Sequence, residues 1–312
     1  MKSVRIVEVG LRDGLQNESS ELSVEHRFEL CKRLIDAGST HFEIGSFVSP
    51  KWVPQMAQTA ELTKMVLQEL TRRKAHNKLF PSVLVPNEIG MQQAIDSGIK
   101  EVALFGACTE SFSQKNINCS IDESFQRFEA VMKLAKKNKI KVRGYLSTCF
   151  GCPFEGAVEE KIVVQIAKRM HDLGVYEISI GDTIGVAQVG QIKSLFSKLK
   201  KVIPVKKLAG HFHDTRGQSL ANILAAYEIG VRVFDSSIGG LGGCPYAPGA
   251  AGNVATEDVV YMFDGMKVQT KLNLAKLIET HKWLQPLMNH PLSSKVGRVG
   301  ILKPINANTR PK

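Results

Sequence analysis

Short runs of β-branched and aromatic residues alternate with longer amphipathic segments along most of this chain. The short runs predict strands at about residues 4–9, 41–46, 80–85, 101–105, 141–147, 175–180, 207–213 and 231–236. Between them, segments such as SVEHRFELCKRLIDAG carry apolar residues at three- and four-residue steps, which is typical of helices. Eight strands in strict alternation with helices predict an α/β fold, a (β/α)₈ TIM barrel. A doubly wound open sheet is the alternative, but no GxGxxG motif follows the first strand.

The length and composition predict one large barrel domain. The chain has 312 residues, of which 43% are hydrophobic, and it can therefore bury a full core. We expect the catalytic barrel over residues 1–290 and an irregular or mobile extension over residues 291–312, where no hydrophobic period is found. No apolar run approaches the roughly 18 residues of a membrane span. The first residues, MKSVRIVEVGLRDG, lack the pattern of a signal peptide, so we expect a cytoplasmic protein without a membrane partner.

The formal net charge of +11 suggests either an anionic partner or simply solubility. The basic residues are spread over predicted helix faces without interleaved aromatic residues, so we do not expect binding to nucleic acid. A phosphorylated cofactor such as coenzyme A is compatible with the same positive field.

The cysteines predict neither a disulfide framework nor a zinc site. There are six, at positions 31, 108, 119, 149, 152 and 244, which is too few and too scattered for a disulfide scaffold. Cys149 and Cys152 have the CxxC spacing of zinc and redox sites, but no second CxxC or nearby CxxH supplies further ligands. Pro153 and Gly156 follow the pair and favour a loop, whereas a thioredoxin-like motif needs the start of a helix.

A glycine-rich loop is the most unusual segment of the sequence. Residues 239–253 read GGLGGCPYAPGAAGN, with six glycines, two prolines and Cys244 in the middle. Glycine allows sharp turns and close approach to a ligand, and a cysteine on such a loop is presented to something. A flexible surface loop with an incidental cysteine is the alternative.

Two histidines spaced by one residue predict a metal site. The side chains of His211 and His213 point to the same face of the seventh strand. At the mouth of a barrel they would meet Asp13, which follows the first strand, and Asn253, which follows the eighth. This mixed nitrogen and oxygen set suits Mg²⁺, Mn²⁺ or a similar divalent ion. Hydrogen-bonded core histidines are the alternative.

Three further charged residues are expected near the same mouth. Arg12 adjoins Asp13, and its guanidinium suits a developing oxyanion such as a thioester enolate. Glu43 on the second strand and Asp182 at the end of the sixth could orient Arg12 and the metal ligands. A surface ion pair for Arg12 and plain ion pairs inside the barrel for the carboxylates are the alternatives.

Five segments together resemble the 3-hydroxy-3-methylglutaryl-CoA lyase family of metal-dependent TIM-barrel lyases and synthases: GLRDGLQNE, SFVSPKWVPQMA, ISIGDTIGV, GHFHDT and GGLGGCPYAPGAAGNVATED. The match runs from about residue 4 to the 290s, and the cysteine loop is its most specific part. Isopropylmalate and homocitrate synthases share the Arg-Asp-Gly and HxH elements without this loop. The resemblance implies Asp13, His211, His213 and Asn253 as ligands of Mg²⁺ or Mn²⁺, Arg12 as electrophile, Cys244 as catalytic thiol, and Glu43 and Asp182 as supporting acids.

The resemblance also implies an activity, a substrate and a homodimer. We expect cleavage of 3-hydroxy-3-methylglutaryl-CoA to acetyl-CoA and acetoacetate, as in leucine degradation, with Asp13 or His211 as the base. The alternatives are a lyase for longer 3-hydroxy-3-substituted glutaryl thioesters, a Claisen-type acyl-CoA synthase of the same superfamily, and a non-catalytic protein that binds CoA or a metal. Animal members carry a further thiol near the C-terminus, whereas no cysteine follows Cys244 here.

Overall fold

Eight parallel strands close into a barrel in the computed structural model, which describes residues 2–243 and 252–301. Each strand pairs with the next along the chain, and the eighth pairs with the first, which confirms the predicted TIM barrel. The strands are β1 Arg5–Glu8, β2 His41–Ser46, β3 Phe80–Leu84, β4 Glu101–Ala107, β5 Lys141–Ser147, β6 Ile178–Asp182, β7 Leu208–Phe212 and β8 Val233–Ser236.

Helices cover the outside of the barrel. They are α1 Val24–Asp36, α2 Thr59–Arg72, α3 Glu88–Ser97, α4 Glu110–Ile117, α5 Ile121–Asn138, α6 Glu160–Asp172, α7 Val189–Leu199, α8 Ser219–Ile229, α9 Thr256–Gly265, α10 Leu274–Leu284 and α11 Lys295–Val299. Local sequence defines several of their starts. For α5, the Ser120 side chain accepts from the backbone of Glu123, whose carboxylate accepts in return from Ser120. Within the described residues, no helix is both long and apolar enough to cross a bilayer.

The apolar core lies between the strands and the helices. On β2, Phe42 and Ile44 are fully buried, as are Leu30 and Leu34 on the inner face of α1. Close packing of helix on strand limits residue size at Gly144 of β5, where an added Cβ would lie 2.3 Å from the sulfur of Met170. This outer layer accounts for most of the apolar burial that stabilises the fold.

The interior of the barrel is instead charged. On β5, the buried Arg143 donates from Nε to Glu177 Oε1 at 2.9 Å and from Nη2 to Asp235 Oδ1 at 2.8 Å. Because β5 and β8 do not pair, the contact with Asp235 crosses the barrel. Buried charges persist when they are paired in this way. The interior therefore provides fixed charges beneath the mouth, where the strands end.

Residues 291–301, which the sequence analysis assigns to an irregular extension, include α11 and pack on the barrel. Leu292 and Ser294 are buried, and Asp258 of α9 accepts hydrogen bonds from the Ser294 hydroxyl and from the backbone of Lys295. The rest of that predicted extension, residues 302–312, lies outside the described residues.

Candidate active site

Arg12 and Asp13 lie in a single π-helical turn, Gly10–Gly14, that follows β1 almost directly. The backbone amides of Arg12 and Gly14 both donate to the carbonyl of Val9, at 3.1 Å each. Turns of this kind are rare in proteins overall, but those that occur are often found at functional sites. The turn lets two adjacent side chains reach the same mouth, whereas extended backbone would send them to opposite faces.

The two histidines converge on Asp13, as their spacing predicts. His211 ends β7 on the inner face and His213 follows it, with 5.2 Å between the ring centroids. Asp13 Oδ2 lies 3.7 Å from His211 Nε2 and 3.8 Å from His213 Nε2. The alternation of a strand and the turn after β1 together bring the three side chains to one point.

This trio has the chemistry of a divalent metal site. Among the described residues, Asp13, His211 and His213 form the one group of three such side chains whose ligand atoms all lie within 4.8 Å of one another. One carboxylate oxygen and two imidazole nitrogens suit Mn²⁺ and related borderline ions, and also Mg²⁺ when substrate oxygens complete the set. The three side chains also line the large cavity at the mouth, where a substrate would approach.

Asn253 contacts the trio through its amide nitrogen Nδ2, whereas a metal ligand would present the amide oxygen. Its backbone pairs with that of His213, and its Nδ2 donates to Asp13 Oδ2 at 2.8 Å and to the carbonyl of Leu241 at 3.3 Å. A metal ligand would use Oδ1, so coordination requires the amide to reverse. The role of Asn253 as a ligand stays a prediction.

Arg12 is held on two sides by carboxylates. Its Nε donates to Glu43 Oε2 and its Nη1 to Asp13 Oδ1, while its guanidinium lies 5.1 Å from the centre of the Tyr145 ring. Glu43 is fully buried and also accepts from the Tyr145 hydroxyl at 3.4 Å. The third nitrogen, Nη2, makes no hydrogen bond to the described residues, and Arg12 lines the cavity, so a substrate oxygen can be its partner.

The two carboxylates that contact Arg12 have pKa values shifted in opposite directions. Burial favours the neutral form of Asp13, but the positive charge of Arg12 and contacts with His213 and His211 outweigh it and hold the pKa of Asp13 well below its usual range. For Glu43, burial dominates and raises the pKa despite the contact with Arg12. Asp13 is therefore the ionised carboxylate that faces the histidines.

Asp182 and Cys244 complete the set of predicted site residues. Asp182 ends β6, and both of its oxygens accept backbone N–H groups of the following turn, from Val186 and Ala187 at 2.9 Å each. This carboxylate thus orders the loop after β6, beside the backbone of His213. Cys244 lies outside the described residues, but Gly243, which precedes it, lines the large cavity.

Two further residues of the site, Asp235 and Tyr145, are not among those that the sequence predicts. Oδ2 of Asp235 on β8 lies 3.3 Å from Nδ1 of His211, and the ring of Tyr145 on β5 is contacted by the guanidinium groups of both Arg12 and Arg143. Their signal was the strand alternation, which points both residues into the barrel, as it does His211. That signal separates an inner from an outer face only once the barrel and its register are known.

A cavity of about 890 Å³ opens above the site. Arg12, Asp13 and the two histidines line it, together with apolar side chains and with basic and amide side chains such as Lys115, Asn116 and Arg127. An apolar pocket with a few convergent polar groups is typical of a small-molecule site. The basic lining residues suit an anionic ligand.

Comparison with known proteins agrees with this geometry. Residues 3–284 match the HMGL-like family. The mitochondrial hydroxymethylglutaryl-CoA lyase of Macaca fascicularis is 49% identical over 297 residues, covering 95% of this chain and 89% of that protein. The 3-hydroxy-3-isohexenylglutaryl-CoA/hydroxymethylglutaryl-CoA lyase of Pseudomonas aeruginosa is 44% identical, covering 97% and 98%. An HMG-CoA lyase of Acinetobacter baumannii, solved with coenzyme A and 3-methylmalate, superposes with a TM-score of 0.90 at 34% identity, covering 99% and 98%.

Proposed function

This chain belongs to the HMGL-like family, and on that premise we propose that it cleaves 3-hydroxy-3-methylglutaryl-CoA to acetyl-CoA and acetoacetate. The observation that carries the proposal is the contact of one ionised carboxylate, Asp13, with both histidines on one side and Arg12 on the other. A site of this kind joins a place for a divalent ion to a fixed positive charge for a developing oxyanion. Those are the two requirements of carbon–carbon cleavage beside a thioester.

The residues that hold the ion are, in this proposal, Asp13, His211 and His213, with Asn253 as a fourth after reversal of its amide. When bound, Mg²⁺ or Mn²⁺ supplies Lewis acidity toward the oxygen atoms of the substrate. The protein then has to remove a proton from the tertiary hydroxyl group. Asp13 and His211 both line the small pocket beside the proposed ion site and are the two candidate bases, although His211 could accept the proton only while its Nε2 is not bound to the ion.

Arg12 stabilises the charge that leaves the broken bond. Cleavage between C2 and C3 of the substrate moves an electron pair onto the thioester oxygen, which becomes an enolate. Glu43 and Asp13 fix the guanidinium, so that Nη2 remains available for that oxygen without reorganisation.

Cys244 is the proposed acid that returns a proton to the acetyl-CoA enolate. Support comes from the resemblance and from the chain on either side of the loop. Gly243 lines the cavity and accepts from Asn17 Nδ2 at 3.0 Å, while Asn253 donates to Asp13. The described residues that flank segment 244–251, Gly243 and Asn253, thus both lie at the mouth. A closed loop there would exclude water from a reactive enolate.

Acetoacetate release by the purified protein tests the activity. We expect production from 3-hydroxy-3-methylglutaryl-CoA that stops after chelation and returns with Mg²⁺ or Mn²⁺. Full activity in chelated protein with confirmed loss of metal contradicts the metal site. Condensation without cleavage would favour the synthase alternative, and binding of CoA without turnover the non-catalytic one.

A second measurement tests the ligand set without activity. His213→Ala removes one ligand and should weaken Mn²⁺ binding by at least about 10–100-fold. A loss of that size is typical even when only a residue that hydrogen-bonds to a ligand is removed. An exposed histidine, His76, provides the matched control His76→Ala, which should bind Mn²⁺ like the wild type. Equal affinity of the two variants would remove His213 from the set.

The acyl group and the assembly complete the proposal. The Pseudomonas relative is named for an isohexenyl substrate as well, so the same assay should compare methyl with longer branched substituents at C3. The apolar side chains that line the cavity, Leu84 and Phe105 among them, offer a surface for such a substituent. We further propose a homodimer on the basis of the family resemblance, which sedimentation velocity would test.

A further inference from the structure

The two histidines of the site differ in what supports them. His211 Nδ1 faces Asp235 Oδ2 at 3.3 Å, on the side of the ring away from Asp13. His213 Nδ1 is buried and has no hydrogen-bond partner among residues 2–243 and 252–301. The tautomer of His211 is therefore set by a neighbour, whereas that of His213 has no such constraint.

The carboxylate of Asp235 is held in place by hydrogen-bond donors. Its Oδ2 accepts from the Ser179 hydroxyl at 2.6 Å, its Oδ1 accepts from Arg143 Nη2 at 2.8 Å, and the side chain is fully buried. The register of the sheet places it directly opposite His211, because β7 and β8 pair these two residues. An ionised carboxylate with every neighbour a donor can only accept, so His211 must place its proton on Nδ1.

We propose that Asp235 is a positioning residue, which holds His211 as the Nδ1–H tautomer and aims the lone pair of Nε2 at Asp13 and His213. The inference rests on the proposed metal site, since a lone pair on Nε2 is what an ion at that place requires. A carboxylate behind an imidazole both orients the ring and makes it a better ligand. Arg143 keeps Asp235 in place, so that the carboxylate does not itself turn toward the ion.

The charge behind Asp235 is balanced. Arg143 donates to both Asp235 and Glu177, and Glu177 also pairs with Arg5, so two carboxylates face two guanidinium groups. Loss of Glu177 and loss of Asp235 should therefore disturb the interior charge similarly. Only Asp235 contacts His211, which makes Glu177→Gln a matched control for a purely structural effect.

The decisive variant is Asp235→Asn. Arg143 Nη2 always donates, so it should attract the amide oxygen and leave the NH₂ group facing Ser179 and His211. An NH₂ group beside Nδ1 favours the tautomer with its proton on Nε2, where the proton blocks ligation. The isosteric change thus reverses the tautomer without altering the size of the side chain.

The first test reads the tautomer in the metal-free wild type. Nitrogen-15 NMR of histidine-labelled protein, recorded at a pH where the His211 ring is neutral, distinguishes protonated from unprotonated ring nitrogens, and His211→Gln assigns the resonances. We expect His211 to carry its proton on Nδ1. A proton on Nε2 in the wild type overturns the proposal, even if Asp235→Asn does not fold.

The second test measures Mn²⁺ binding through the electron paramagnetic resonance signal of the free ion. Asp235→Asn should bind about 10–100-fold more weakly and show the reversed tautomer, while Glu177→Gln should keep both wild-type values. Equal Mn²⁺ affinity and tautomer in Asp235→Asn and the wild type, or equal losses in both variants, overturn the proposal. If the wild type holds Nδ1–H yet binds no Mn²⁺, the metal site fails and with it the positioning of His211 for an ion.

Discussion

Arg12 Nη1 lies 2.6 Å from Oδ1 of Asp13, the residue that follows it, while the other oxygen of Asp13 faces both histidines. The Asp13 carboxylate thus connects the guanidinium group of Arg12 to the two histidines. The arrangement depends on the turn Gly10–Gly14, since extended backbone would separate the two side chains. The same turn needs glycine at its start, because a Cβ on Gly10 would lie 2.6 Å from Glu8 Oε1.

Replacing Arg12 with Gln should depress kcat far more than it raises KM. The guanidinium interacts most strongly with charge that exists only in the transition state, and loss of one such donor typically costs about 10²–10³-fold. Arg12→Lys should recover little, since an ammonium group cannot engage Glu43, Asp13 and a substrate oxygen with one planar fork. Steady-state kinetics of both variants give the answer. A change confined to KM would make Arg12 a residue that anchors the substrate.

Cys244→Ser should retain the fold and Mn²⁺ binding but lose most turnover, because an alcohol is a much weaker acid than a thiol. A thiol reagent should modify Cys244 and inactivate the enzyme, and substrate should slow the reaction. The structure gives the reason for selectivity, since the other five cysteines are buried, with at most 3% of each residue exposed. Mass spectrometry of the labelled protein locates the adduct. Near-normal turnover in the serine variant would leave the loop as a lid only.

Most of the barrel and the centre of its site could be predicted from the sequence because both depend on local pattern. The period of the strands gives the barrel, and the two-residue spacing of His211 and His213 gives a common face. Asp235 and Arg143 could not be identified, because an inward charged residue looks the same in sequence as an outward one until the partner strand is known. Their significance lies in a contact between β5 and β8, strands that are distant in sequence.

The end of the described chain shows the same limit. No hydrophobic period extends beyond residue 290, so the only local sequence signal for a helix there is the capping residue Ser294. The helix α11 depends on Asp258, which accepts from the backbone of Lys295 and Val296. Carboxylates that accept these first N–H groups stabilise a helix N-terminus. Ser294 caps the helix locally by accepting from the backbone of Gly297, but the contribution of Asp258 comes from another helix, which a local reading of the sequence cannot anticipate.

Glu8→Gln should change how stability depends on pH. Burial raises the pKa of Glu8 from 4.5 to about 7, although Thr256 and two backbone amides donate to it. Between those two values the folded protein keeps a proton that the unfolded chain has released, so unfolding free energy falls as pH rises, by about 3 kcal/mol in all. Glutamine does not titrate, so the variant does not lose stability in this way, and its NH₂ group can donate to Thr256. Urea unfolding from pH 4.5 to 8 should show that the free energy of unfolding of Glu8→Gln rises relative to that of the wild type as pH increases. The exposed change Glu279→Gln should leave the profile as it is.

Leu292→Ala tests whether residues 291–301 are part of the folded domain. The Leu292 side chain is 1% exposed and packs on the backbone of Gly239, where an added Cβ would approach it to 2.9 Å. Truncation of a buried leucine leaves a cavity and costs about 2–5 kcal/mol, whereas a residue in a mobile extension would cost almost nothing. Val299→Ala on the same segment is the control, since Val299 is 84% exposed and should change stability by less than about 0.5 kcal/mol. Chemical denaturation of the two variants decides, and equal stabilities would place this segment outside the cooperative core. Because Ser294 also donates its backbone N–H to Gly239, at the start of the glycine-rich loop, the leucine variant should in addition bind substrate more weakly than the valine variant.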